Sequence, residues 1–298
     1  MNLAFCWWIF KQRKHNVFIM FHEVAFPFRS GQRLRHSVLA VVHRVMAWVI
    51  LRSVRHSFTS TEPYMALLRT LGSDQTPISL LRICSNIPME SYQPDGWPVS
   101  DPGSSSDRFT VGIFSNFGAQ INAILEPVIG SLVGNPKIQV LLLGPGESFC
   151  QTLAKKYPQA ADQVKTTGRL RVNKVAGHMR RCDALLQLYP DGASAARGTL
   201  IGALASGVPV VTTSGPATDR LLLDSQAILF AETSAESIRD AIELLRENPA
   251  LAADLADRAQ QLYRESFQPA VIVSRIRDAV SWSKDHKALV DEEPALQE

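Results

Sequence analysis

Residues 182–213, CDALLQLYPDGASAARGTLIGALASGVPVVTT, carry the strongest indication of the fold. An apolar run leads into a polar loop with glycines, which is followed by a stretch of small residues and a second apolar run. Ligands of parallel α/β sheets bind beyond the carboxyl ends of the strands, where loops meet the N-termini of helices. The stretch therefore predicts a buried strand, a loop that faces a ligand, a helix and a further strand.

The same alternation of apolar runs and helical stretches extends over the rest of the chain. Before residue 92 it predicts strands in NVFIMFHEV (16–24), at the start of HSFTSTEPYMALLRTLG (56–72) and in PISLLRICSNIP (77–88), with a helix around 35–55 and a helix capped by Ser60 or Thr61. After residue 108 it predicts strands in FTVGIFSNFG (109–118), IQVLLLGPG (138–146), LRVNKV (170–175), CDALLQLYP (182–190), GVPVVTT (207–213) and AILF (227–230). We therefore expect an α/β protein with two doubly wound, Rossmann-like domains.

The domain boundaries follow from composition. YQPDGWPVSDPGSSSDR (92–108) is rich in Pro, Gly, Ser and Asp and has no apolar period, so it predicts a linker. This assigns 1–91 to an N-terminal domain, 109–266 to a C-terminal domain, and 267–298 to a final helix with an acidic tail. The first domain contains about three strands where a Rossmann-like domain has about six, so we expect its beginning to be missing.

Composition limits the partners. The net charge of +3 is small for 298 residues and does not indicate nucleic acid binding. The four cysteines are scattered without a CxxC pair, which argues against a zinc site and favours a reduced, cytoplasmic protein.

Two apolar segments near the N-terminus bear on membranes. The first lies at the start of the chain, precedes its charges and is too short to span a bilayer. The second, SVLAVVHRVMAWVILRSVRHS (37–57), carries His43 and Arg44 in its middle and predicts an amphipathic or buried helix. Its basic, Trp-bearing character permits peripheral contact with an anionic membrane at the inner face.

The helices after residue 230 have the clearest signals. Thr233 and Glu236 predict a capping box, and Ile238, Ala241, Ile242 and Leu245 recur on one helix face. Asn248 and Pro249 predict the cap and first position of the next helix.

The loop of the opening stretch has the chemistry of an anion site. Helix-start amides near Gly198, the hydroxyl of Thr199 and the fixed charge of Arg197 together suit a phosphate or diphosphate. An ordinary capped helix with a surface arginine is the alternative, since Ser and Thr caps are common.

Several segments resemble the family 4 (group 1) glycosyltransferases, which have the two-domain GT-B architecture. YPDG followed by GTLIGALASGVPVVTT is similar to their donor-binding segment, and GHMRRCDALLQLYP to the segment before it. FTVGIFSNFG and VLLLGPG resemble the first two strands of their C-terminal domain, and VFIMFHEVAFPF resembles the histidine-bearing loop that faces the acceptor. The resemblance implies transfer of a sugar from a nucleotide-sugar donor to a glycan, lipid-linked or small-molecule acceptor.

The resemblance also implies roles for single residues. The donor-binding residues would be Ser115, Asn116, Gly118, Lys174, Asp191, Gly192, Arg197, Gly198 and Thr199. His22 would be the catalytic residue near the transferring sugar or the acceptor. Phe114 and Phe117 either flank the nucleotide or pack beneath the loop, and His178 is expected in a loop or at a helix start.

No metal or other cofactor is expected. Negative charge develops on the diphosphate as it leaves, and cations with N–H donors stabilise it. No Asp-x-Asp pair that would chelate a metal occurs in the chain. The family precedent implies retention of the anomeric configuration.

The chain also departs from the family pattern. Two glutamates usually lie eight residues apart across the donor loop and its helix, and Ser194 and Gly202 stand in their places here. SNFGAQIN (115–122) lacks the Arg and Lys that usually contact the diphosphate. A branch of the family with an Arg-Gly-Thr/Ser loop is the nearest match.

Two other functions stay open at this point. A chain without the start of its first domain could be an inactive nucleotide-binding or interaction module. A sugar-nucleotide epimerase of related architecture is the second alternative.

Overall fold

The computed structural model describes residues 2–28, 30–72, 76–89 and 108–291, with side chains as far as residue 281. The chain divides into two compact units. Met1–Ile83 with Pro269–Glu298 form the first, and Cys84–Gln268 form the second. Most of the predicted linker (92–108) and the acidic tail after residue 291 lie outside the described residues.

The first unit contains a small parallel sheet in the order β1-β2-β3. Its strands are β1 (Phe18–Phe21), β2 (His56–Thr59) and β3 (Ile78–Leu80), and its helices are α1 (Leu3–Lys11), α2 (Leu34–Leu51), α3 (Glu62–Leu71) and α12 (Pro269–Asp291). Helices α1, α2 and α3 pack with β1 in one core, whereas Ala279 of α12 packs against Phe58 and Leu81. Thr61 caps α3 by accepting a hydrogen bond from the Tyr64 amide, as predicted.

Among the described residues, α2 alone is long and apolar enough to cross a membrane by length and composition, with a mean hydropathy of 1.4. Only 28% of it is buried within the protein.

The second unit is a doubly wound domain with a six-stranded parallel sheet in the order β6-β5-β4-β7-β8-β9. Its strands are β4 (Phe109–Phe114), β5 (Ile138–Leu143), β6 (Val164–Thr166), β7 (Ala184–Leu186), β8 (Val210–Thr213) and β9 (Leu229–Ala231). Its helices are α4 (Ala119–Leu132), α5 (Glu147–Lys156), α6 (Ala160–Gln163), α7 (Val172–Met179), α8 (Gly198–Ser206), α9 (Arg220–Asp224), α10 (Ala235–Glu247) and α11 (Pro249–Ser266). This is the strand order of a Rossmann fold, in which the order reverses between β4 and β7.

Alternation along the central strands supplies a core on each face of this sheet. In β5, Val140 and Leu142 point to the core that includes α4 and α10, and Leu141 and Leu143 point to the core that includes α7 and α8. Gly112 of β4 is required for close packing, because a Cβ there would lie 2.5 Å from Cys182 Sγ.

Two local predictions were wrong. LRVNKV (170–175) is not a strand: the strand is β6, the chain turns at Gly168 with φ +65°, and α7 begins at Val172. The alternation of apolar and polar residues was misleading, because all five residues from Val175 to Met179 are buried within α7.

The second error concerns the start of α10. The cap is Ser234, one residue after the predicted Thr233, and its hydroxyl accepts from the Ser237 amide at 3.0 Å. The reciprocal side-chain bond of this cap is made by Ser237 rather than Glu236, since the Ser237 hydroxyl accepts from the Glu232 amide. The cap at Asn248 and the buried stripe on α10 are confirmed.

His178 lies near the end of α7, not at a helix start, and is only 6% exposed. Burial lowers the pKa of His178 below its ordinary value of 6.5, helped by the charges of Arg181 and Lys174. When the pH falls, His178 therefore takes up a proton more readily in the unfolded chain than in the folded chain.

We predict that the free energy of unfolding falls as the pH is lowered from about 7 to about 5, and that His178→Gln makes this fall smaller. Urea unfolding across this pH range measures the slope. His15→Gln, at an exposed histidine, is the control and should keep the parent slope. Equal slopes for His178→Gln and the parent would contradict the prediction.

Candidate nucleotide-sugar site

A cavity of about 550 Å³ opens at the carboxyl ends of β4 and β7. These neighbouring strands pair through Val111 with Ala184 and Gly112 with Leu185. The strand order of the sheet reverses between them, and ligands of open α/β sheets bind at such a reversal. The cavity is therefore the candidate functional site of the second unit.

The cavity has an apolar part and a polar part. The apolar part is lined by Ile113, Phe114, Ile121, Leu125, Leu186, Leu188 and Ala196. The polar part is lined by Asn86, Ser115, Asn116, Gln187, Tyr189, Arg197, Gly198 and Thr199. A concave pocket that combines apolar surface with convergent polar groups is typical of small-molecule sites.

A short chain of hydrogen bonds connects β7 to the start of α8. The Tyr189 hydroxyl donates a hydrogen bond to Gln187 Oε1 at 3.2 Å. The same hydroxyl lies 2.7 Å from Thr199 Oγ1. Burial raises the pKa of Tyr189, although the Thr199 hydroxyl opposes this effect. Tyr189 is therefore a neutral hydroxyl at physiological pH, and it fixes the position of the Thr199 side chain.

Arg197 brings a positive charge to the N-terminus of α8. Its guanidinium pairs with Asp191 and lies over the Tyr189 ring, 5.1 Å from the ring centroid. Its side chain is 37% exposed, so an incoming anion can reach it. The first amides of a helix have no partner within the helix, and here those of Gly198 and Thr199 lie beside this cation.

The loop between β7 and α8 is held by a second loop that follows β8. The Ala195 amide donates to Asp219, which is 3% exposed. Gly192 has φ +90°, and a Cβ there would lie 2.4 Å from the Gly215 amide nitrogen. These contacts fix the path of the loop before α8 begins.

The loop after β4 forms the other wall. Ser115 Oγ accepts from the Phe117 amide, and Asn116 Oδ1 accepts from the Gly118 amide, each at 3.2 Å. Phe117 is 7% exposed and stacks on Phe149, so it packs beneath the loop. Phe114 instead lines the cavity.

The ten predicted site residues do not all lie at this cavity. Five of them line it: Ser115, Asn116, Arg197, Gly198 and Thr199. Asp191 pairs with Arg197, Gly118 caps α4 and Gly192 supports the loop. Lys174 is half-buried on α7 and is not among the lining residues, and exposed His22 follows β1 in the first unit.

Three of the polar lining residues were not among the predicted site residues. Tyr189 and Gln187 come at the end of β7, where an aromatic residue directly before a glycine loop was the available signal. Asn86 comes from the segment after β3, which no sequence pattern connects with this cavity.

The segment after β3 also accounts for Gly202, which stands where the resembled family usually has a glutamate. Gly202 is buried in α8, and a Cβ there would lie 2.6 Å from Ile87 Cδ1. Ile87 belongs to the core of the second unit, and Arg180 donates to the Met89 carbonyl at 2.7 Å. Residues 84–89, which the sequence assigned to the first domain, thus pack with the second unit.

Ser194 occupies the other glutamate position. It is 4% exposed, and its hydroxyl accepts from the Ala196 amide at 3.2 Å. It therefore stabilises the loop between β7 and α8 by a bond within that loop, and it is not one of the lining residues of the cavity.

A family model described as "Glycosyl transferase-like" matches residues 122–278, which is more than half of the chain. The chain belongs to this family. No curated protein sequence matches it.

Solved structures share the fold at low identity. Sucrose-phosphate synthase from Thermosynechococcus elongatus matches with a TM-score of 0.64 and 16% identity, covering 96% of this chain and 71% of that one. HepE from Anabaena, in complex with UDP and glucose, matches at 0.62 and 15%, covering 90% and 72%. TarM from S. aureus, in complex with fondaparinux, α-GlcNAc-glycerol and UDP, matches at 0.58 and 14%, covering 89% and 50%. The predicted α/β, GT-B-like fold class is confirmed.

We predict that Gly202→Glu destabilises this glycosyltransferase-like chain by about 1–3 kcal/mol, because the new side chain must displace Ile87. Adding Ile87→Ala should cost less than the sum of the two single changes, since the residues are in contact. Thermal unfolding measures both.

The matched control is Gly198→Glu at the start of the same helix. A Cβ at Gly198 meets no atom within 4 Å, and a carboxylate is favourable at a helix N-terminus. Its melting temperature should stay at the parent value or rise. An equal loss at both positions would show that contact with Ile87 is not the cause.

Proposed function

We propose that the protein transfers a sugar from a nucleotide-sugar donor to a glycan acceptor, and that the cavity at β4 and β7 binds the donor. The observation that carries this proposal is the position of Arg197, which directly precedes the first amides of α8 at the strand-order reversal. UDP is the first nucleotide to test, since the HepE and TarM structures contain it.

The chemistry follows from the charge of the leaving group. As the glycosidic bond breaks, its electron pair goes to the diphosphate oxygen, whose growing negative charge needs stabilising. Arg197 supplies a fixed cation, and the amides of Gly198 and Thr199 supply donors. The proposed transfer needs no metal and retains the anomeric configuration, as in family 4, to which we assign the chain.

The ion pair between Asp191 and Arg197 affects how a diphosphate can reach the arginine. An incoming diphosphate competes with the Asp191 carboxylate or shares the guanidinium with it. We propose that donor binding redirects Asp191 from Arg197 to the sugar hydroxyls.

His22 is the proposed catalytic residue of the acceptor side. It is exposed and directly follows β1. It therefore lies at the carboxyl end of a strand in a parallel sheet, which is where ligands of such sheets bind. We further propose that the protein works in the cytoplasm, including peripherally at the inner face of the membrane, where lipid-linked acceptors are found.

We expect UDP or a UDP-sugar to raise the melting temperature. Ligand at about a hundred times its Kd adds roughly 2.7 kcal/mol. Arg197→Ala and Thr199→Ala should each weaken binding, Arg197→Ala by about tenfold to a hundredfold, because hydrogen bonds to charged groups are lost. Arg239→Ala, at an exposed arginine of α10, should bind as the parent does. Unchanged binding by Arg197→Ala would refute the assigned donor site.

We expect His22→Ala to slow sugar transfer roughly 100-fold, the usual cost of losing one stabilising donor in a transition state, while donor affinity stays at the parent value. Initial rates with a labelled UDP-sugar, beside a binding titration, measure the two effects. His15→Ala is the control. Equal transfer rates for His22→Ala and the parent would show that His22 does not take part in the reaction.

One observation favours a second function, that of a nucleotide-binding or interaction module without transferase activity. Ile87 fills the space beside Gly202, where the family carries a glutamate that grips the nucleotide ribose. Nucleotide binding without transfer would identify a nucleotide-binding module. Conversion of the donor without any acceptor would identify an epimerase.

A further inference from the structure

Helix α2 exposes a continuous apolar stripe. The stripe consists of Leu34, Val38, Val41, Val45 and Trp48, which are 79%, 54%, 51%, 54% and 43% exposed. Spacings of four and three residues place all five along one side of the helix, over about 21 Å. Large side chains arranged in this way mark a contact surface, unlike single exposed apolar residues.

The opposite side of α2 is already occupied. Ala47, Ile50 and Leu51 lie in the core of the first unit, with Cys6 and Ile9 of α1. The helix is therefore held against its own unit, and the stripe lies on the side that faces away from this core.

The polar residues in the middle of α2 hold the helix in place. His43 Nδ1 accepts from the Phe26 amide at 3.3 Å. The Arg44 guanidinium donates to the Phe26 carbonyl at 3.0 Å and lies over the Phe28 ring. These bonds would have to break before α2 could cross a bilayer, so the arrangement fits a helix that lies along an interface.

Helix α1 adds aromatic side chains to the same unit. Leu3, Trp7 and Trp8 are 71%, 59% and 55% exposed, while Cys6 and Ile9 attach the helix to α2. Exposed tryptophans are favoured at membrane interfaces, where one part of the ring is apolar and the other meets water.

The charge of this region selects the partner. Between Asn2 and His56 the sequence contains nine lysine or arginine residues and one acidic residue, Glu23. Exposed Arg33 and Arg35 lie at the start of the stripe, and Arg52 follows its end, with its guanidinium 4.2 Å from the centroid of the Trp48 ring. Cations at both ends of an apolar stripe complement anionic lipid headgroups above acyl chains.

We propose that the α2 stripe, with the exposed residues of α1, binds the surface of an anionic lipid membrane. A second copy of the chain is less favoured, because two such basic surfaces repel each other. Nucleic acid is less favoured, because valine and leucine side chains offer it no hydrogen bonds. The proposal does not depend on the donor site, since binding to vesicles needs no nucleotide.

The experiment is co-sedimentation of the full chain with vesicles. We expect binding to vesicles of phosphatidylcholine mixed with phosphatidylglycerol, much weaker binding to phosphatidylcholine alone, and loss of binding at high salt. Val38→Ser with Val45→Ser should weaken binding about tenfold. Arg33→Gln with Arg35→Gln should weaken it about fivefold for each cation removed.

Matched controls come from the second unit. Leu244→Ser replaces an apolar residue that is 45% exposed, and Lys155→Gln removes an exposed cation. Both should bind vesicles as the parent does. If the valine pair disturbs folding, seen as a lower melting temperature, the arginine pair still tests the proposal, because Arg33 makes no side-chain capping bond.

Three results would overturn the proposal. The first is equal binding to neutral and anionic vesicles, and the second is parent-like binding by both paired variants. The third is a concentration-dependent dimer that the valine pair abolishes while vesicle binding persists, which would assign the stripe to a second copy.

Discussion

The parallel pairing of β4 with β7 is the contact on which the candidate cavity depends. The strands that follow each of them in the chain are added on opposite sides, β5 beyond β4 and β8 beyond β7. The loops at their carboxyl ends therefore diverge and leave a space between them. Gly112 permits this close packing, because a side chain there would meet Cys182.

The walls of this space are shaped by hydrogen bonds within loops, not by helices alone. Asp219 holds Ala195, Tyr189 holds Thr199, and Asp191 pairs with Arg197. The path of the loop and the position of the Thr199 hydroxyl are therefore set before any ligand arrives, which lowers the reorganisation needed when charge develops on a bound ligand. The ion pair with Asp191 also keeps the arginine in place without a ligand.

The two units place different physical demands on their surfaces. The second unit covers both faces of its sheet, and polar groups line its cavity at the carboxyl ends of β4 and β7. The first unit leaves apolar side chains of α1 and α2 in solvent, among basic residues. Such a surface gains free energy only when something covers it, so recognition there depends on area and charge, whereas at the cavity it depends on directed hydrogen bonds.

The sequence by itself determined the α/β class, most of the strands of the second unit and the loop between β7 and α8. These depend on local periodicity and on short strand-loop-helix patterns, which are visible without the tertiary structure. It did not determine that Val172–Met179 is a helix, because residues 170–175 alternate as a strand does, whereas the helix buries five consecutive residues, Val175 to Met179. Only the tertiary structure decided that Asn86 lines the cavity, that Ile87 fills the space beside Gly202 and that Asp191 pairs with Arg197. These contacts depend on side-chain positions in the packed chain. The contact of Ile87 with Gly202 joins residues more than a hundred positions apart, a separation that no local pattern encodes.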